Sequence, residues 1–168
     1  PISRAADARP ARTDPFARRV ITAWRRLTGG RAARDAGRPT LVACSGGADS
    51  SALAAALAGV NTNIVIAHIR HDLRPTADTQ ADESVARDLA TRLDRPFACQ
   101  TVHISEEPGN AESNARSARY RALAQIAEHH QLTYVATAHH ADDQLETILM
   151  RLLRGAGPRG MAGMRPTR

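Results

Sequence analysis

The chain has 168 residues, of which 42% are apolar and only five aromatic, and a formal net charge of +6. That length suffices for one domain with a core built mainly from Ala, Leu, Val and Ile. No apolar run approaches the roughly 18 residues of a membrane span, and the Arg-rich start lacks the apolar segment of a secretory signal, so a cytoplasmic protein with no membrane contact is expected.

Residues 1–12 have no periodic apolar pattern and are expected to form a flexible basic arm ahead of a single domain over 13–168. A helix should follow, with Thr13 as N-cap and Pro15 in the first turn. Phe16, Val20, Trp24 and Leu27 recur along one face of it, and Arg18, Arg19, Arg25 and Arg26 along the other. Gly29-Gly30 ends this helix, and 31–38 reads as a loop. The positive charge is concentrated here, since residues 1–39 carry ten Arg against three Asp while the remainder is close to neutral. Such a patch can track nucleic-acid phosphates, or it can simply be a solvated arm.

From Thr40 onward, strand candidates at Thr40 to Cys44, Asn63 to His68, Phe97 to His103 and Thr133 to Ala138 alternate with helix candidates near 50–58, 78–93, 113–129 and 142–153. The alternation predicts an α/β fold with an open, mainly parallel sheet and helices on both faces. Ligands bind such sheets beyond the carboxyl ends of the strands, near the point where strand order reverses. Ser45-Gly46-Gly47, His68 to Asp72, Ser105 to Asn110 and His139 to Asp143 all stand at those ends. Cys44 and Cys99 sit in the strand candidates without C-x-x-C spacing, so buried free thiols are expected in place of a zinc or redox pair.

Leu41-Val42-Ala43-Cys44-Ser45-Gly46-Gly47-Ala48-Asp49-Ser50-Ser51 reads as an apolar strand, a glycine turn and a helix start. Two glycines bring backbone N–H groups against an anion, and the helix adds its N-terminal partial charge. Ser45, Ser50 and Ser51 add hydroxyls. A Walker loop is excluded, because that motif needs a lysine and the chain has none. An ordinary strand-turn-helix corner is the alternative. Ser45-Gly46-Gly47-Ala48-Asp49-Ser50 resembles the SGGxDS signature of the PP-loop ATP pyrophosphatases, which implies a loop that holds the β and γ phosphates of ATP while the α phosphate is attacked.

The densest titratable group is His139-His140-Ala141-Asp142-Asp143-Gln144-Leu145-Glu146-Thr147. Asp143 and Glu146 fall on one side of the expected helix, away from Leu145, Ile148, Leu149 and Leu152. Carboxylates suit Mg²⁺, which Asp49 and Asp143 could share with ATP phosphates; complementing a helix dipole is the simpler account of the acids. Adjacent His139 and His140 point to opposite sides and cannot easily hold one ion. Gly155-Ala156-Gly157-Pro158-Arg159-Gly160 fits G-x-G-x-x-G but follows a helix, so it is not read as a dinucleotide fingerprint. Further upstream, Glu112 and Arg116 are i, i+4 partners, and Arg116, Arg119 and Tyr120 share a helical face.

The run from His139 to Met164 closely resembles the signature of tRNA(Ile)-lysidine synthetases, and the resemblance spans about residues 40–164. It implies a Rossmann-like PP-loop fold of the adenine nucleotide alpha hydrolase type, and ATP-dependent ligation of lysine to C2 of the wobble cytidine of tRNA(Ile). An adenylated tRNA intermediate forms with loss of pyrophosphate, and AMP then leaves. The residues implied as catalytic are Asp49, His139, Asp143, Glu146 and Arg116. Those implied in nucleotide binding are Ser45, Gly46, Gly47, Asp49, Ser50, Ser51 and His68, with Asp49 and Asp143 as Mg²⁺ ligands. The implied partners are tRNA(Ile) with an unmodified wobble cytidine and L-lysine, with room for a homodimer. In that family the catalytic domain continues into a further segment after the stretch matching Met164, and many members add tRNA-gripping domains; both are expected to be absent from this chain. Within 68–74 the family more often has Asn before the second His and Gly after it, where this chain has Arg70 and Asp72. Two other readings stay open: a different PP-loop enzyme, such as a tRNA thiolase or amide-forming synthetase, and a non-catalytic nucleotide- or RNA-binding module.

Overall fold

The computed structural model describes residues 14–30, 33–72, 76–104 and 111–139. The expected basic arm, the helix near 142–153 and the Gly155 to Gly160 loop lie outside the described residues. Chain contacts fall into two units that meet between Thr137 and Ala138; the architecture below is that of the first.

Helix α1 (Pro15–Leu27) leads into a single 3-10 turn at Asp35–Gly37, followed by β1 (Thr40–Ala43), α2 (Ala48–Ala58), β2 (Ile64–His71), α3 (Thr76–Arg92), β3 (Phe97–Val102), α4 (Ala111–His129) and β4 (Tyr134–Ala136). The four strands are parallel and ordered β3-β2-β1-β4. The chain winds outward from β1 to β3 and then crosses back to β4, so strand order reverses between β1 and β4. This is the α/β sheet expected from the alternation. Alternate residues of β1 and β2 face opposite layers, as the pleat requires. Val42, Ile64 and Ile66 pack with Trp24, Leu57, Ala86, Leu89 and Leu93 on one side. Leu41, Val65 and Ala67 pack with Leu123, Ile126 and Ala127 of α4 on the other.

Several boundaries moved for identifiable reasons. Asp14, and not Thr13, caps α1, its carboxylate accepting from the Ala17 N–H at 2.8 Å, with Pro15 directly after it. The buried stripe of α1 is Ala17, Ile21 and Trp24, while Phe16 and Leu27 are exposed. The helix is thus rotated roughly a quarter turn from the expected face, because small Ala17 lets α1 approach Ala56 of α2 closely. Strand β2 extends to His71, since Arg70 and His71 pair with Thr101 and Val102 of β3. Cys44 is buried as expected, whereas Cys99 is only half-buried.

Arg38 lies in the stretch read as a loop, yet it is 1% exposed. Its guanidinium donates to the carbonyls of Arg25 (2.7 Å), Thr28 (3.3 Å), Ala33 (2.7 Å) and Gly30, and to Thr28 Oγ1 (2.8 Å). These include carbonyls at the end of α1 that have no partner within the helix, and the cation complements the dipole there. Tyr134 Oη also donates to the Thr28 carbonyl at 3.2 Å, and Trp24 Nε1 to Thr40 Oγ1 at 3.3 Å. The carboxyl end of α1 is therefore fastened to the amino ends of β1 and β4.

Candidate functional site

Ser45, Gly46 and Gly47 form the turn leaving β1, and α2 begins at Ala48, two residues earlier than its apolar pattern suggests. Asp49 accordingly stands in the first turn of the helix, exposed to solvent. Gly46 has φ +88°, and a Cβ built on it would lie 2.9 Å from both Cα and O of Asp82 in α3. Glycine is required there twice over, by backbone conformation and by the close approach of α3. Gly47 is the N-cap of α2 with φ −78°, and no side chain bonds the first-turn amides from that position. Among the described residues, the N–H groups of Gly46 and Ala48 have no hydrogen-bond partner. Free amides around a glycine turn, at the N-terminus of an eleven-residue helix, suit an anion with several oxygens.

The serines divide their work. Ser50 is buried; its hydroxyl donates to Gly47 O at 3.0 Å and accepts from Ser45 N at 3.1 Å. Ser51 Oγ also donates to Gly47 O, at 2.9 Å, while Ser45 is exposed and lies 3.1 Å from the Ser50 hydroxyl. Beneath the turn, Cys44 Sγ is 3.8 Å from Ser50 Oγ. His68 is 5% exposed, and its Nδ1 lies 2.8 Å from the Cys44 carbonyl. Since a carbonyl only accepts, the ring carries its proton on Nδ1, and β2 holds the last residue before the turn.

Strand order brings the carboxyl ends of β1 and β4 side by side, and β4 is the strand after which the His139 block follows in sequence. His139 is described and exposed. His140, Asp143 and Glu146 lie outside the described residues. On α4, Arg116 and Arg119 place their Cζ atoms 5.5 and 5.9 Å from the Tyr120 ring centroid, joining the three residues expected to share a face. Arg116 stands about two turns before Leu123, toward the carboxyl end of the sheet and on the face opposite α2. The side chain of its expected partner Glu112 is outside the described residues. Among the described residues, no group of three or more His, Cys, Asp or Glu could hold a metal.

Two features were not legible in the sequence. Asp82 braces the turn through its backbone, which no residue type signals. Asp72 accepts from the Ile104 N–H at 2.8 Å and lies 3.8 Å from His103 Nδ1, tying β2 to the exit of β3. Asp72 is not among the residues with positive φ, so its backbone does not demand glycine.

The chain is similar to known proteins over most of its length. It is 46% identical over 145 residues to a tRNA(Ile)-lysidine synthase of Salinispora arenicola, an alignment covering 80% of this chain and 40% of that protein. With the tRNA(Ile)-lysidine synthase of Ralstonia nicotianae it shares 39% identity over 159 residues, covering 90% and 33%. The chain thus spans about 40% or less of these relatives. Among solved structures, the U34-tRNA thiolase NcsA of Methanococcus maripaludis superposes with a TM-score of 0.62 at 16% identity, over 86% of this chain and 52% of that one. A family model for the PP-loop domain matches residues 20–168, most of the chain, and the chain belongs to the PP-loop domain family.

Proposed function

We propose that this chain is the ATP-binding part of a ligase that joins lysine to C2 of the wobble cytidine of tRNA(Ile). The observation that carries the reading is the turn at Ser45 to Gly47, with free Gly46 and Ala48 amides at the start of α2, beside the point where strand order reverses. Its support from outside the chain is the identity to proteins named tRNA(Ile)-lysidine synthase.

In this reading the turn takes the β and γ phosphates of ATP. Donors held in place before the reaction stabilise the charge that gathers on departing pyrophosphate. Ser50 and His68 keep the turn in shape, and Ser51 stands at the phosphate end of the helix. The C2 oxygen of the cytidine attacks the α phosphate, and pyrophosphate leaves. The lysine amine then attacks C2 and expels AMP. Asp49, Asp143 and Glu146 are the carboxylates available to a substrate ammonium or to Mg²⁺, which would supply charge neutralisation on the phosphates. Asp49 fits that role through its place in the first turn of α2. His139 orients the nucleotide, and Arg116 offers a planar fork to a phosphate. The cytidine must leave its stacking partners to be reached.

The test is thin-layer analysis of α-labelled ATP incubated with the protein, Mg²⁺, lysine and unmodified tRNA(Ile). AMP release that requires both lysine and the wobble cytidine is expected. AMP release independent of lysine would replace this reading with another PP-loop chemistry. ADP as product would contradict the assignment of the turn, and nucleotide binding without turnover would leave a binding module.

A further inference from the structure

The charge on α1 is arranged in a way the fold does not require. Its buried stripe is Ala17, Ile21 and Trp24. Arg18, Arg19 and Arg26 project from the far side with Thr22 between them, all exposed. Arg34, just beyond the helix, is exposed as well. Among the described residues, none of these four guanidinium groups has a hydrogen-bond or ion-pair partner, whereas that of neighbouring Arg25 is paired with Asp35. Pro15–Leu27 contains no acidic residue at all. Arg18 and Arg19 stand near the N-terminus of the helix, where its dipole disfavours cations.

A general bias toward arginine would scatter such residues over every exposed helix. On α3 the sequence instead sets four acids, Asp78, Asp82, Glu83 and Asp88, against Arg87 and Arg92, and Glu83 binds Arg87 at 2.6 Å. On α4, Arg116, Arg119 and Arg121 stand against Glu112 and Glu128, so the largest unmatched positive charge on any of these helices is that of α1, with four arginines and no acid. A basic amphipathic helix also suits an anionic membrane, but its apolar side must then be free to insert. Here that side is occupied by α2 and the sheet. Phe16 and Leu27, the large exposed apolar residues of α1, are about 16 Å apart along the axis. What remains is a row of planar, unpaired guanidinium groups spanning about 12 Å, the geometry that meets successive phosphates of a nucleic-acid strand.

We propose that the outer face of α1, through Arg18, Arg19, Arg26 and Arg34, binds the sugar–phosphate backbone of the RNA substrate. The inference rests on the tRNA reading above and adds to it a second contact, remote from the glycine turn. Ala17 and Ile21 pack on Ala56, near the end of α2 away from the turn. The face therefore lies about 12 Å along α2 and a further helix diameter, about 10 Å, from the phosphate cradle. RNA held there is gripped by its backbone and not by its bases, so the contact strengthens binding of any tRNA without touching the chemistry.

The test compares the full chain with Arg18→Gln/Arg19→Gln/Arg26→Gln, using Arg92→Gln on α3 as the charge control. Binding to tRNA(Ile) transcript, to an unrelated tRNA and to anionic vesicles is measured across a KCl series. Each lost phosphate contact removes about 0.7–0.9 from the slope of log K against log salt, so the triple variant should lose about 2–3. Its affinity for both RNAs should fall at least about tenfold near 0.1 M KCl, with Arg92→Gln and ATP binding unchanged. An unchanged slope in a folded triple variant would overturn the inference while leaving the proposed ligase intact. Preferential loss of vesicle binding would overturn it in favour of a membrane surface. If the unaltered chain binds neither RNA, the inference fails, and the AMP assay then decides separately whether the ligase reading fails with it.

Discussion

Replacing Gly46 by Ala sets the geometry of the glycine turn against the packing of α3. An alanine at φ +88° carries left-handed strain of about 1–2 kcal/mol. Its Cβ would also stand 2.9 Å from the Cα and O of Asp82, and these are backbone atoms of a helix that cannot swing aside as a side-chain tip would. Overpacking of this kind costs about 1–3 kcal/mol, offset by about 0.4–1 kcal/mol of lost freedom in the unfolded chain, for a net destabilisation of about 1–5 kcal/mol. Gly47→Ala is the control. Its φ is −78° and its Cβ would meet only Ser45 Oγ at 3.5 Å, so it should change stability by less than about 1 kcal/mol. Trp24 is the chain's single tryptophan and is 6% exposed, so its fluorescence follows urea unfolding directly. Gly46→Ala should lower the midpoint by on the order of 1–2 M and weaken ATP binding through displacement of the turn. Equal midpoints and equal ATP affinity for the two variants would refute the argument that α3 fixes the turn.

Three further outcomes follow from the same geometry. Arg38→Met leaves the carbonyls of Arg25, Thr28, Gly30 and Ala33 without their buried donor, and should cost about 3–5 kcal/mol in urea unfolding. Arg38→Lys should recover only a minor part, because one ammonium cannot reach acceptors spread over a planar fork. The hydrogen bond from Arg87 holds the Glu83 carboxyl below the usual carboxylate range. Its stabilisation is therefore present above that range and lost as pH falls through the lowered folded value. Arg87→Gln should be less stable than the parent at about pH 7 and converge with it by about pH 3, as read by denaturation at each pH. Burial, followed by the nearby Glu83 charge, pushes the Cys99 thiol up, and Cys44 is 2% exposed. Aromatic disulfide reagents should therefore titrate the native protein slowly at neutral pH and both thiols rapidly in urea. Fast native modification would contradict these environments.

The sequence carried the strands because Leu41-Val42 and Ile64-Val65-Ile66 are buried on both faces of a parallel sheet and read as unbroken apolar runs. It understated β2 because Arg70 and His71 are polar, and their strand state comes from pairing with residues 31 positions onward. Ser45-Gly46-Gly47 was legible as a turn between strand and helix, since two successive glycines mark one through their own backbone freedom. Arg38 was not, because an arginine among loop residues looks solvated until the carbonyls of another segment surround it. The face of α1 was misjudged for a related reason. Side-chain size favoured Phe16 and Leu27, whereas the packing favoured whatever let two helices come close. Asp143 and Glu146 remain expectations from spacing and resemblance.

The pairing of β1 with β4 joins Thr40 to Tyr134 across most of the described chain, whereas β1 meets β2 after little more than twenty residues. Contacts so distant in sequence form slowly, and a chain made from its N-terminus meets them late. During synthesis α1, α2 and the first three strands can assemble around Trp24 and Leu57 while the far edge of β1 is still bare. The glycine turn is shaped by α3 and β2 in that interval. β1 gains β4 along its other edge only when residue 136 has emerged, so the turn at its carboxyl end takes shape before the sheet is complete.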